Sequence, residues 1–462
     1  MEQKYTENGG QLIFVYGRRR IGKTETLTRF CSGKKSVFIT CTECTDKEQL
    51  SNFSRNILSA GIPAAAYIRT FENWEQALSS VKDIPSDQNK KKLLIIDEFP
   101  YMVKENTGIP SILQKLWDTE LKNQNIMIVL CGSAMSFIEK EILAEKNPLY
   151  GRTTGILRME PLPYPDAVQF ISSYSLYEKT AVYSILGGIP YYLKQIDDSV
   201  SLEKNICTKL LSKESILYLE PEFLLRQELR EPSVYNTLIQ IVAAGNTKFN
   251  DIYNATLIEK NKLSVYLKNL IDLGILYKEF PVMTGNAAQV NIQRGLYRIK
   301  DAYFRFWYAF IFPNISMLEI GDTQGVYSQI IAPRLDELIS LPFEDICIYW
   351  LKRQNMNGAL PFRFTHIGRW WNKTDGIDAV ACNEQRTKII LVECKFRKAE
   401  IDTADIKKHI EKDIRGMKLP AGCSVFYYYF PRSGFTKKPV SLQQNMMLRL
   451  YRSRLCFELD IS

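Results

Sequence analysis

Eight consecutive residues, Gly17-Arg18-Arg19-Arg20-Ile21-Gly22-Lys23-Thr24, fit the pattern G-x-x-x-x-G-K-[ST]. The chemistry of that spacing is phosphate binding: backbone N–H groups of the glycine loop wrap the oxygens at the positive end of the following helix. Lys23 would reach the β and γ phosphates, and the Thr24 hydroxyl would hold Mg²⁺. A second set of acids lies downstream, where Lys92-Leu-Leu-Ile-Ile-Asp97-Glu98 ends an apolar run in two carboxylates. Asp97 would hold the water shell of the metal, and Glu98 would orient and deprotonate an attacking water. Together they predict binding and hydrolysis of ATP with Mg²⁺. Ser133 ends the next apolar run, Ile126 to Gly132. It stands as a sensor of the γ phosphate or as a plain turn residue. Arg152, in Gly151-Arg-Thr-Thr-Gly155, is a candidate arginine finger or simply a surface residue at a strand start.

The elements that must position these residues are legible nearby. Leu12 to Val15 reads as a strand entering the glycine loop, and Glu25 to Phe30 as its helix, the context the motif needs. Ser36 to Thr40 is a short strand, with helical stretches from Lys47 to Ala60 and Trp74 to Val81. An apolar run before Asp97 suits a strand buried on both faces of a parallel sheet. Residues 166–212 are helical in pattern, interrupted by Gly187-Gly188-Ile-Pro190.

From about Ser215 the pattern changes to short helices followed by a hairpin. Val234–Ala244, Asp251–Ala255 and Leu263–Leu273 read as helices, the last stopped by Gly274. Ile275–Glu279 and Gly295–Ile299 read as strands around Gly285-Asn286. That order is a winged helix, whose recognition helix would start near Lys262 and offer Ser264, Tyr266 and Lys268 to DNA; many such modules contact only protein. The aromatic run Asp301 to Phe312 reads as a packing helix.

The last third carries a second constellation. Glu344 lies on an amphipathic helix, Asp378 opens a strand, and Lys388 to Lys395 is a strand ending Glu393-Cys-Lys395. Period-two alternation puts Glu393 and Lys395 on one face. Asp378 on a neighbouring strand could share a divalent cation, Mg²⁺ or Mn²⁺, with Glu393, with Lys395 steadying the hydroxide or the scissile phosphate. The bland alternative is a surface ion pair on an edge strand. The arrangement resembles the PD-(D/E)XK nuclease core, with Glu344 as the helix acid often found there.

Bulk properties narrow the setting. The chain has 462 residues, 45% hydrophobic and 24% charged, enough for several cores. Residues 345–462 hold 21 Lys and Arg against 12 Asp and Glu, whereas the remainder holds 39 of each. The whole basic excess is therefore in the last quarter, as a polyanion-binding surface or a solvated face would have it. Ten scattered cysteines and a polar start suit a reduced cytoplasmic protein, and no apolar run is long enough for a membrane span. Cys41-Thr-Glu-Cys44 has no second pair at zinc spacing, and two histidines, His366 and His409, argue against histidine-based catalysis.

Taken together, the glycine loop, LLIIDEFPY, YGRTTG, GGIPYYL, YRIKDAYFRFWYAFI and G-I-D…E-C-K resemble archaeal-type, STAND-related ATPases that carry a C-terminal restriction-endonuclease-like domain. The resemblance implies an α/β fold: a P-loop core over residues 1–160 with ATP at residues 17–25 (Glu25 included), Asp97 and Ser133. A helical lid would follow at 161–212, a winged helix at 213–300, and an α/β nuclease-like domain at 301–462. One departure is the F-x-G-R-x-x-E-L segment that family members carry ahead of the first strand to help hold adenine. No such motif is present here, which implies a truncated start or weakened nucleotide affinity. The expected partners are ATP and DNA, with homo-oligomers open and no membrane. The expected function is nucleotide-controlled DNA binding and cleavage. Its rivals are an ATP-gated regulator without nuclease activity and a plain ATPase motor.

Overall fold

The computed structural model describes residues 1–86, 90–133, 137–142, 144–282, 295–396, 417, 419 and 422–432, together with the backbone of strand 446–450. The chain divides into two units, Met1–Pro161 and Leu162–Ser462.

The first unit is built on a five-stranded sheet of β1 (Gln11–Tyr16), β2 (Ser36–Thr40), β3 (Lys92–Asp97), β4 (Ile126–Gly132) and β5 (Gly155–Arg158). All neighbours are parallel, in the order β2-β3-β4-β1-β5. Their continuous apolar runs follow from having both faces covered. Leu12, Phe14, Leu94, Ile96, Ile128 and Leu130 enter one apolar cluster, while Ile13, Val15, Leu93, Ile95, Met127 and Val129 enter another. Alternate residues thus feed opposite cores, as strand geometry requires. One core is closed by helices Asp46–Ser59 and Ile109–Thr119, the other by Lys23–Cys31. Because β4 lies between β1 and β3, its C-terminal end is set between the glycine loop and the acid pair.

The second unit begins with short helices, of which Leu176–Leu186 is started by a capping box between Ser175 and Glu178. Gly188 follows it in a place a side chain could not enter, since an added Cβ would lie 1.8 Å from the Leu162 carbonyl. Three helices come next, Pro232–Ala243, Phe249–Thr256 and Lys260–Asp272. An antiparallel ladder of β6 (Leu276–Glu279) and β7 (Leu296–Ile299) then follows. The Gly285-Asn286 turn expected between those strands lies outside the described residues. The aromatic run forms the helix Ala302–Phe306 and its continuation to Ile311, with Tyr303, Phe304, Phe306 and Trp307 all fully buried. Trp307 Nε1 donates to the Tyr218 carbonyl at 2.6 Å, and Tyr303 Oη to that of Leu217 at 2.6 Å.

The last part is a mixed sheet of β8 (His366–Trp371), β9 (Gly376–Cys382), β10 (Lys388–Lys395), β11 (Ser424–Pro431) and β12 (Met446–Leu450). β9 runs antiparallel to both its neighbours, while β10, β11 and β12 are parallel. The 22-residue helix Leu335–Met356 covers one face, where Phe343 meets Phe396 and Trp350 meets Phe430. A single apolar cluster runs from Ala167 to Phe430. Among the described residues, the segments expected as lid, winged helix and C-terminal domain therefore share one continuous core.

Candidate functional site

The glycine loop sits at the C-terminal end of β1. Left-handed conformations at Arg20 (φ 71°) and Gly22 (φ 89°) bend it in the way that gathers N–H groups into an anion-binding concavity. Gly17 is required by crowding, since a Cβ there would stand 2.5 Å from the Met159 carbonyl. Lys23 is 6% exposed, and its ammonium donates to the carbonyls of Gly17 and Arg18 at 3.0 and 3.1 Å. Burial lowers its pKa from the ordinary lysine value, so the charge is held there at a cost that an anion would relieve.

Thr24 Oγ1 donates to Asp97 Oδ2 at 2.6 Å. The loop hydroxyl and the β3 acid, 73 residues apart in sequence, thus meet as hard oxygen donors. Such donors would hold a Mg²⁺ ion, which would supply positive charge beside bound phosphate. Glu98 caps the next helix with φ 53°. Its Oε2 accepts from Ser133 Oγ at 3.0 Å and from the Ser133 N–H at 3.3 Å. The structure therefore brings Lys23, Thr24, Asp97, Glu98 and Ser133 to one end of the sheet. Arg18, Arg19, Arg20 and Ile21 complete the loop, and Glu25 lies on the first turn of its helix.

Arg152 is not brought there. It precedes β5, which runs parallel to β1, so it sits at the end of the strands opposite the glycine loop. It is held by Asp118, with Nε and Nη2 donating to Oδ2 at 3.0 and 2.9 Å. The residues at the far end of β5, Arg158 and Met159, do approach the loop. They line a cavity of about 660 Å³ with Val15, Glu25, Thr26, Arg29 and Phe30. Neither was singled out from sequence, because only the parallel register Tyr16↔Arg158 places them.

Residues 1–196 match the family described as an ATPase domain predominantly from Archaea, and 307–409 match a family of archaeal and bacterial proteins of unknown function. The chain is also 30% identical over 420 residues to an uncharacterized protein of Methanocaldococcus jannaschii, an alignment spanning 91% of this chain and 90% of the relative. It belongs to that family, with an archaeal-type P-loop ATPase domain at its front. Among solved structures, it aligns with a Walker-type ATPase of Pyrococcus abyssi (TM-score 0.48, 18% identity, 66% of this chain and 93% of that one). It also aligns with the Orc2 protein of Aeropyrum pernix (TM-score 0.39, 13% identity, 69% and 90%).

In this ATPase the second constellation is also assembled, but with a different pairing from the one expected. Asp378 Oδ2 accepts the Cys394 N–H at 2.8 Å, which fixes it beside Glu393. Lys395 Nζ pairs with Glu393. Burial, and then the Asp378 carboxylate, push Glu344 up to about 7, against the pull of Arg369. Glu344 is paired with Arg369, whose Nε donates to its Oε2 at 2.7 Å. Among the described residues no three His, Cys, Asp or Glu side chains are gathered so as to hold a metal ion. The donor types suit a hard cation, but this arrangement does not fit one. Glu344, expected as a metal ligand, is instead the partner of a guanidinium. Arg369 was missed in the sequence because its partners lie 24 to 90 residues away, and one charge in an aromatic strand gives no other signal.

The expected recognition helix exposes Lys260, Lys262, Ser264 and Lys268. Tyr266 is directed elsewhere: its hydroxyl donates to Glu231 at 2.8 Å and its ring meets Tyr235. No helix among the described residues is long and apolar enough to cross a membrane.

Proposed function

We propose that this protein is an ATP-binding, slowly hydrolysing switch that controls contact with DNA through the helices and hairpin between residues 213 and 300. The observation that carries the reading is the convergence of Lys23, Thr24, Asp97, Glu98 and Ser133 at one sheet end. Bound Mg²⁺ would neutralise charge on the β and γ phosphates. The loop amides and Lys23 bind and orient the triphosphate, and Lys23 gives up its two carbonyl contacts to do so. Ser133 holds Glu98 aside until the γ phosphate competes for its hydroxyl, and the freed carboxylate then orients water and takes its proton. The cavity beside Phe30 and Met159 has an apolar wall and a charged rim, which suits a purine and its ribose.

The middle region is read as a winged helix, with Lys260, Lys262 and Lys268 as phosphate contacts. DNA cleavage at Asp378, Glu393 and Lys395 is the fuller form of this reading. The non-cutting regulator is its rival, favoured by the Arg369–Glu344 pairing.

The test is ATP turnover and salt-dependent DNA binding by the full chain beside Lys23→Ala and Glu98→Gln. Nucleotide-dependent DNA affinity that Lys23→Ala abolishes supports the switch. ATP turnover with no DNA binding at any salt concentration overturns it. Plasmid cleavage in Mg²⁺ or Mn²⁺ that Asp378→Ala removes would separate the nuclease from the regulator.

A further inference from the structure

Cys131 lies beneath the ATP site, only 1% exposed, on the strand that separates the glycine loop from the acid pair. β4 pairs with β1 through Val15↔Cys131 and with β3 through Ile96↔Leu130. The next residues along, Cys131 and Asp97, are therefore cross-strand neighbours. Alternation sends both to one face: Ile95, Val129 and Val15 enter the cluster that Leu27 and Phe30 of the phosphate-loop helix close, and Cys131 enters it with them. Asp97 turns to the same face, where Thr24 on that helix donates to its Oδ2 at 2.6 Å. The Cys131 thiol is hydrogen-bonded to the Asp97 carboxylate. Burial, and then that negative charge, raise its pKa, so the sulfur keeps its proton and is the donor.

Asp97 is thus held from the helix by Thr24, from the main chain by the Glu98 N–H, which donates to Oδ1 at 3.1 Å, and from inside the sheet by Cys131. A carboxylate ordered before its cation arrives binds it more tightly, because less freedom is lost on binding. An S–H is a weak donor, so it orients the acid without neutralising it. We propose that Cys131 is a positioning residue of the ATP site, whose thiol fixes the Asp97 carboxylate from beneath for Mg²⁺. The inference rests on reading Thr24 and Asp97 as the holders of that cation. It adds a residue that acts only through Asp97.

Two substitutions in the full-length protein separate the donor from the packing. Cys131→Val keeps an apolar group of similar bulk and has no donor, whereas Cys131→Ser keeps a donor and loses bulk. Calorimetry gives the ADP affinity of each and of the unaltered chain, once in EDTA and once in excess Mg²⁺, with folding checked by circular dichroism. The expected result is that all three bind ADP alike in EDTA. The gain in affinity from Mg²⁺ should fall about two- to fivefold in Cys131→Val, the worth of one weak hydrogen bond, and stay whole in Cys131→Ser. The reverse order, with the gain lost in Cys131→Ser and intact in Cys131→Val, makes Cys131 a packing residue and overturns the proposal. Weaker binding by Cys131→Val in EDTA overturns it too, because the loop itself would have shifted. The same Mg²⁺ gain in all three also overturns it, and abolition of ADP binding by Lys23→Ala would then leave the ATP site standing. An unaltered chain whose ADP affinity gains nothing from Mg²⁺ overturns both the proposal and the cation reading of Thr24 and Asp97. If Cys131→Val fails to fold, Cys131→Ala takes its place and is judged by the same gain.

Discussion

At the scale of single residues, the ATP site rests on short polar contacts between groups distant in sequence. Glu98 is bonded twice to Ser133, and neither bond involves the loop that binds phosphate. Glu98→Gln should therefore leave nucleotide binding nearly intact while lowering turnover about 10²- to 10⁴-fold, the usual worth of a general base. Parallel measurement of ATP affinity and phosphate release checks this, and a matching loss of affinity would count against the assignment. Beneath the same site, burial and then Asp97 push the Cys41 thiol up to about 12. A thiol so rarely ionised reacts slowly. Alkylation at about pH 8, mapped by mass spectrometry, should spare Cys41 in the native protein and modify the less buried Cys44 and Cys423.

At the scale of elements, two close approaches decide whether the site can form. β1 and β5 are joined past their ladder by the Met159 N–H to the Tyr16 carbonyl at 2.7 Å, and Gly17 is the residue that lets Met159 come so near. Gly17→Ala should cost about 1–3 kcal/mol, as overpacking does, and it should weaken ATP binding because the loop itself must shift. Thermal unfolding and nucleotide titration of the variant measure the two effects. In the second unit, the aromatic helix is packed into the apolar core. Trp307 is fully buried and bonded to a backbone carbonyl, so Trp307→Ala should destabilise by about 3–5 kcal/mol. Denaturant unfolding followed by tryptophan fluorescence provides the check.

At the scale of the whole molecule, nucleotide and DNA binding should each leave a signature in bulk measurements. ATP with Mg²⁺ at about 100 times its dissociation constant should add about 2.7 kcal/mol of stability. That gain should vanish in Lys23→Ala. Replacing Lys262 or Lys268 by Ala should flatten the salt dependence of DNA affinity by about one unit in the log–log slope for each phosphate no longer neutralised. An unchanged slope would remove the helix Lys260–Asp272 from the proposed DNA surface. The shared apolar core of the second unit makes its hairpin and its acid cluster parts of one packed body.

The sequence by itself determined the phosphate loop, the acid pair of β3 and the strands that carry them. Each is a local pattern: glycines at fixed spacing, an apolar run ending in carboxylates, a period matching its element. It also determined the three helices and ladder of the middle region, and the strands that hold Asp378 and Glu393. What only the tertiary structure decided is which side chains meet. Ser133 met Glu98 rather than standing alone, because β4 is inserted between β1 and β3. Arg152 went to Asp118, because the parallel register of β5 puts its start at the end of the strands away from the glycine loop. Glu344 received a guanidinium from β8, 25 residues further along the chain, because the fold sets that strand beside the helix. Periodicity along a chain fixes the face on which a residue lies. Hydrogen-bond partners depend on strand order and register, which no local pattern encodes.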